Sequence, residues 1–128
     1  MCVAVEEIAS EHLVLSAPME PNINQHGTVF GGSSATLAVL AAWSLLHTRL
    51  IRESIDVKLV VQRSSMEYLA PMTGRFTALA MLARRTDWAQ FVHAIYANGK
   101  ARIEMQATMS SSARQAARFK GEFVAVRE

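Results

Sequence analysis

The run Ser34–Ile51, SATLAVLAAWSLLHTRLI, constrains this chain more than any other stretch. It is rich in Ala and Leu and holds no Gly or Pro, so it reads as a helix beginning near Ser33, with Ser33 or Ser34 as its cap. Ala35, Leu37, Ala38, Val39, Leu40, Ala41, Ala42, Trp43, Leu45 and Leu46 leave almost no polar face over its first three turns. A helix apolar all round must be surrounded. The apolar core Ala35–Leu46 is too short for a membrane span, which needs roughly 20 apolar residues, so burial by the rest of the protein is the expectation.

The material to surround it is a set of strands. Val3–Ile8 and His12–Ala17 read as two short extended pieces. Ile55, Val57, Leu59 and Val61 alternate with Asp56, Lys58 and Gln62, the period of a strand with one covered face. Past Arg63, Ser64 and Ser65 the apolar parity moves to Met66 and Tyr68, which predicts a bulge or a change of face. Phe76–Leu82 follows a Pro71 to Gly74 turn. Ile103, Met105, Ala107 and Met109 alternate again, and Ala117, Phe119, Phe123 and Ala125 share one parity of a last strand after a turn at the serines 110–112. Trp88–Tyr96 is ambiguous. Its apolar residues fit an amphipathic helix, but Asn98-Gly99 is a strong hairpin signal, and a hairpin is the preferred expectation. Strands, one all-apolar helix and more strands imply an α+β fold in which an antiparallel sheet curls around a central helix.

With 128 residues and 51% hydrophobic content, the sequence reads as a single domain, 1–128, with one core. Charged residues are only 19%, which suggests apolar surface covered by another copy. A net charge of +2 falls short of a nucleic-acid footprint. One cysteine, Cys2, rules out an internal disulfide and fits a reducing, cytoplasmic setting. No signal peptide is legible.

The loop from Pro18 to Gly32 precedes the helix, and a long polar loop there invites a functional reading. Ala17-Pro18 through Asn22-Ile23-Asn24, then Thr28 to Ser33, Ala42-Trp43, Tyr68-Leu69-Ala70-Pro71 and the ending Phe119 to Val126 resemble the hotdog-fold thioesterases. The similarity is strongest to a small subfamily often fused behind an acetyltransferase domain. The resemblance implies a sheet wrapped round the helix, pairing of two copies into a homodimer or a dimer of dimers, active sites at the interface, and acyl-CoA or acyl-carrier-protein thioesters as substrates. It implies no metal and no organic cofactor, and neither nucleic acid nor membrane as a partner.

Within that resemblance the loop matches in part. Asn24 fits the family's Asn, but Phe30 stands where the family has a His before Gly31-Gly32, and Val39 stands where many members carry a helix carboxylate. A thioester oxyanion needs fixed donors, and a helix N-terminus opened by glycines supplies them. The amides of Gly32 and Ser33 are the expected donors, with Asn24 holding water and His26 as base; a plain turn and a plain loop histidine are the alternatives. Phe30, Gly31, Ser34, Thr36, Ser65, Glu67 and Tyr68 are the expected substrate contacts, although Ser34 and Thr36 hydroxyls at such positions often bond back to the helix. Ser65 and Glu67 are expected to reach the helix end from the strand of the partner subunit, with Glu67 the nearest carboxylate there and a plain surface glutamate the alternative. Arg63, Arg84, Arg85 and Lys100 are candidates for ligand phosphates or simply solvated. A dehydratase acting on 3-hydroxyacyl thioesters and a noncatalytic acyl-thioester-binding domain are the rival functions.

Overall fold

A computed structural model describes residues 1–128. The elements run β1 (Ala4–Ile8), β2 (His12–Ala17), α1 (Gly31–Arg52), β3 (Val57–Tyr68), β4 (Phe76–Leu82), α2 (Asp87–Asn98), β5 (Lys100–Ser111) and β6 (Arg114–Arg127), with one 3-10 turn at Glu20–Asn22. The six strands form one antiparallel sheet in the order β1-β2-β4-β5-β6-β3. Helix α1 crosses it and touches β2, β3, β4, β5 and β6. This is the α+β hotdog arrangement, a sheet wrapped around one long helix.

The packing explains the apolar run. Leu37, Ala38, Ala41, Ala42, Leu45 and Leu46 are each 0% exposed and meet the alternating inward residues Met105, Met109, Phe119 and Phe123. Although α1 has 22 residues and is apolar enough by composition to cross a membrane, it lies against the sheet. Its other face is only partly covered. Leu40 is 38% exposed, and Ala35, Thr36, Val39, Leu40 and Trp43 line a shallow apolar depression.

Helix α1 starts earlier than the sequence suggests. Its cap is Phe30, in extended conformation with no capping side chain, and Gly31 and Gly32 already belong to the first turn, so neither Ser33 nor Ser34 caps. The tertiary structure sets this start: the Phe30 amide donates to the Asn22 carbonyl at 2.7 Å and the Val29 amide to the Met72 carbonyl at 2.9 Å. Asn22 is itself buried, and its side chain donates to the carbonyls of Pro18 and Met1.

Asp87–Asn98 is a helix rather than a hairpin arm, so the helical spacing of Trp88, Phe91 and Ile95 prevails. Gly99 closes it in the left-handed region at φ 73°, and its amide donates to the Ile95 carbonyl. The same glycine freedom that suits a hairpin turn serves a helix end. Trp88 locks α2 to the end of α1 by donating from Nε1 to Glu53 at 2.7 Å, with the Arg49 guanidinium 4.2 Å above its ring. Burial lowers the Arg49 pKa from its ordinary value, opposed by Glu53 and Glu11.

The serine turn is shorter than read. Ser110 and Ser111 stay in β5, and Ser112 and Ala113, at φ 52° and 61°, make the two-residue reversal. The bulge in β3 falls between Val61 and Arg63. Strand β3 ends the sheet, so one side of its backbone is unpaired over 12 residues, with Val60 46% and Val61 40% exposed.

Candidate active site at the tip of the central helix

The first turn of α1 leaves two amides without acceptors. Ser33 and Ser34 both donate to the Phe30 carbonyl, at 3.0 and 3.1 Å, while the N–H groups of Gly31 and Gly32 donate to nothing in the chain. The free donors are therefore Gly31 and Gly32, one residue earlier than the expected pair, because the helix itself starts earlier and Ser33 is spent inside it. Free amides at a helix start carry the positive end of its dipole and suit a developing oxyanion.

Two half-exposed aromatic rings flank these glycines. A Cβ on Gly32 would lie 2.4 Å from the Phe30 Cε2 atom, and one on Gly31 would lie 3.4 Å from the Tyr68 ring. Tyr68 also donates from its hydroxyl to the Gly31 carbonyl at 2.9 Å. Beneath the tip is a cavity of about 350 Å³ lined by Gly31, Ser34, Tyr68, Leu69, Met72 and Ala117 among others. It is mostly apolar, as a pocket for a hydrocarbon chain must be.

The remaining expected residues divide into those the fold brings here and those it does not. Thr36 bonds back to the Gly32 carbonyl at 2.8 Å. Ser34 has no such bond and is 1% exposed. Asn24 ties its own loop: Oδ1 accepts from the amides of His26 at 2.8 Å and Thr28 at 3.2 Å, and Nδ2 donates to Thr28 Oγ1 at 2.9 Å. Its acceptor oxygen is thus occupied by the turn, leaving one amide hydrogen for any water. The His26 ring is exposed on the same turn, which Gly27 closes at φ 77°.

Ser65 and Glu67 do not face the helix tip of their own protomer. Past the bulge, Ser64, Met66 and Tyr68 pair with Gly121, Phe119 and Ala117, whose side of the sheet meets α1, while Ser65 and Glu67 pair with Lys120 and Arg118 on the outer side. Glu67 is ion-paired there with Arg118 at 2.6 Å. Arg63, Arg84 and Arg85 are likewise paired, with Glu122, Asp87 and Glu11, and Lys100 is in no ion pair. Val39 points into the shallow outward depression of α1 rather than the cavity. The residues that sequence reasoning missed are Leu69, Met72 and Ala117, which wall the cavity, and Asn22, which sets the helix start. The motif Tyr68-Leu69-Ala70-Pro71 hinted at Leu69, and the Pro71 to Gly74 turn at Met72.

Comparison with known proteins adds a family. A family model described as "Putative thioesterase (yiiD_Cterm)" matches residues 1–127. Among solved structures, a protein of unknown function from Chlorobaculum tepidum is 31% identical, with a TM-score of 0.95 over 100% of this chain and 84% of its own. A putative thioesterase from Shewanella oneidensis is 26% identical, with a TM-score of 0.81 over 97% of this chain and 82% of that one. A probable thioesterase from Pseudomonas aeruginosa, at 18% identity and a TM-score of 0.78 over 98% and 83%, shares the fold.

Proposed function

The chain belongs to this putative-thioesterase family, and from that premise we propose that it hydrolyses an acyl thioester of coenzyme A or of an acyl carrier protein at an interface between two copies. The observation that carries the reading is the pair of acceptor-free amides at Gly31 and Gly32, above a mostly apolar cavity. The thioester carbonyl accepts from one or both amides, the acyl chain enters the cavity, and the tetrahedral oxyanion formed by water attack gains more from those donors than the ground-state carbonyl does. Water adds to the carbonyl carbon, the C–S bond breaks, and the products are a free acid and a thiol.

His26 is the base in this reading, because α1 carries no carboxylate and His26 lies two residues from Asn24 on the loop that leads into it. Asn24 acts as its positioning residue through the Oδ1 contact to the His26 amide. His26→Ala is expected to lower kcat/KM roughly 10²-fold. Glu67→Gln, on the outer face, is expected to leave it unchanged. Stopped-flow or plate-reader thiol release measures both.

The second copy is supported by the unpaired edge of β3 beside the apolar stripe Ala35, Val39, Leu40 and Trp43. A homodimer, or a dimer of dimers, extends the sheet and covers that stripe. Leu40→Lys is expected to shift the sedimentation velocity peak from dimer to monomer and to lower turnover in parallel. A reducing, cytoplasmic setting fits such substrates and the single free cysteine, Cys2.

Thiol release across a panel of acyl-CoA and acyl-carrier-protein thioesters tests the activity. Release supports hydrolysis, whereas tight binding without release favours the noncatalytic reading, for which the absence of a helix acid at Val39 speaks. An enoyl product from a 3-hydroxyacyl substrate identifies a dehydratase.

A further inference from the structure

In the wall of the cavity under the first turn of α1, one buried side-chain hydroxyl has nothing to bond. Ser34 is 1% exposed, belongs to the cavity wall, and its Oγ has no hydrogen-bond partner. The hydroxyls of Thr36 and Tyr68 are engaged, with the Gly32 and Gly31 carbonyls respectively. The acceptor a helical serine ordinarily uses, the carbonyl one turn back, is that of Phe30, which already takes the amides of Ser33 and Ser34. A buried hydroxyl left in this condition is costly, and alanine would serve the packing of α1 equally well. A group brought by a ligand removes the cost.

Resting on thioester binding at Gly31 and Gly32, we propose that the acyl group received here carries its own oxygen substituent, a hydroxyl or keto group near the third carbon, which pairs with Ser34 Oγ. Gly31 and Ser34 are three residues apart, so they share one side of the helix, and both line the cavity. That separation is a helical rise of about 4.5 Å. A carbonyl held at the Gly31 amide therefore places the next few carbons alongside Ser34. Leu69, Met72 and Ala117 offer the substituent no competing side-chain partner. A pocket with one buried hydroxyl discriminates against a ligand that leaves it unpaired, by about 10- to 100-fold for one such bond. Ser34 is thus a specificity-determining residue that reads the acyl chain.

The test uses two coenzyme A analogues in which a methylene replaces the thioester sulfur, one with a butyryl and one with a 3-hydroxybutyryl chain, titrated calorimetrically into the full-length protein and into Ser34→Ala. The wild type is expected to bind the hydroxylated analogue about 10- to 100-fold more tightly, and Ser34→Ala to reduce that ratio to within about twofold. Removing an unpaired buried hydroxyl leaves the fold intact, which a melting curve verifies. Equal binding by the wild type, or a preference that survives Ser34→Ala, overturns the inference. Thiol release from the two parent thioesters is followed in parallel: preference without release contradicts hydrolysis but supports the role of Ser34, and release without preference contradicts only the role of Ser34.

Discussion

Gly32→Ala is expected to lower kcat/KM for thioester cleavage by about 10²- to 10³-fold while leaving the melting temperature nearly unchanged. The added methyl would lie 2.4 Å from the Phe30 ring, which is 55% exposed and free to swing aside, so the fold has an inexpensive way to adapt. Alanine also favours the helix over glycine by up to about 1 kcal/mol. The substrate has no such way to adapt, because the methyl and the displaced ring crowd the amide that the carbonyl must approach. Gly31→Ala meets the Tyr68 ring at 3.4 Å and is expected to cost less activity. Thiol-release kinetics and thermal melting on the same samples separate the two effects. A loss of activity matched by a loss of folding would assign Gly32 a structural role.

Leu45→Ala is expected to destabilise the protein by about 2–5 kcal/mol, a large share of the roughly 5–15 kcal/mol typical of a domain. Leu45 is 0% exposed on the face of α1 that the sheet covers, so truncation leaves a cavity that close-packed neighbours cannot fill. Leu40, 38% exposed on the opposite face, gives the internal control. Leu40→Ala is expected to cost under about 1 kcal/mol within one protomer and to act mainly by weakening association. Urea unfolding at several protein concentrations distinguishes them, since only the Leu40 effect then depends on concentration.

The difference between these two leucines also explains what was legible in the sequence. An all-apolar helix called for cover on every side, and the alternating strands supply it on one face. Strand periodicity located β2 and β4 to the residue, His12–Ala17 and Phe76–Leu82, because period-two patterns with flanking turns have few competing readings. Helix α2 was obscured because Asn98-Gly99 marks a left-handed glycine without saying whether a helix or a strand precedes it. What fixes α2 is tertiary, the contact of Trp88 with Glu53 and Arg49 some 35 residues away.

The site was less legible than the fold for the same reason. The two glycines and the tip could be read, but the register of the helix start could not, since it depends on Asn22 receiving the Phe30 amide. That single hydrogen bond moves the free donors from Gly32 and Ser33 to Gly31 and Gly32. The parity shift in β3 was visible, yet a one-residue slip decides which face every later side chain takes, and it sends Ser65 and Glu67 outward while Ser64 and Tyr68 turn in. The unpaired state of Ser34 has no sequence signature at all, because an engaged and an orphaned serine are the same letter.

The polarisation of a bound carbonyl is the step on which the functional reading depends, and vibrational spectroscopy observes it without requiring turnover. An acyl-CoA carrying a ¹³C-labelled thioester carbonyl, bound to the protein and examined by isotope-edited difference infrared spectroscopy, is expected to show its C=O stretch at lower frequency than in water, with the shift lost in Gly32→Ala. A stretch at or above the aqueous frequency in the wild type, with binding verified, would contradict the assignment of the helix tip as an oxyanion site.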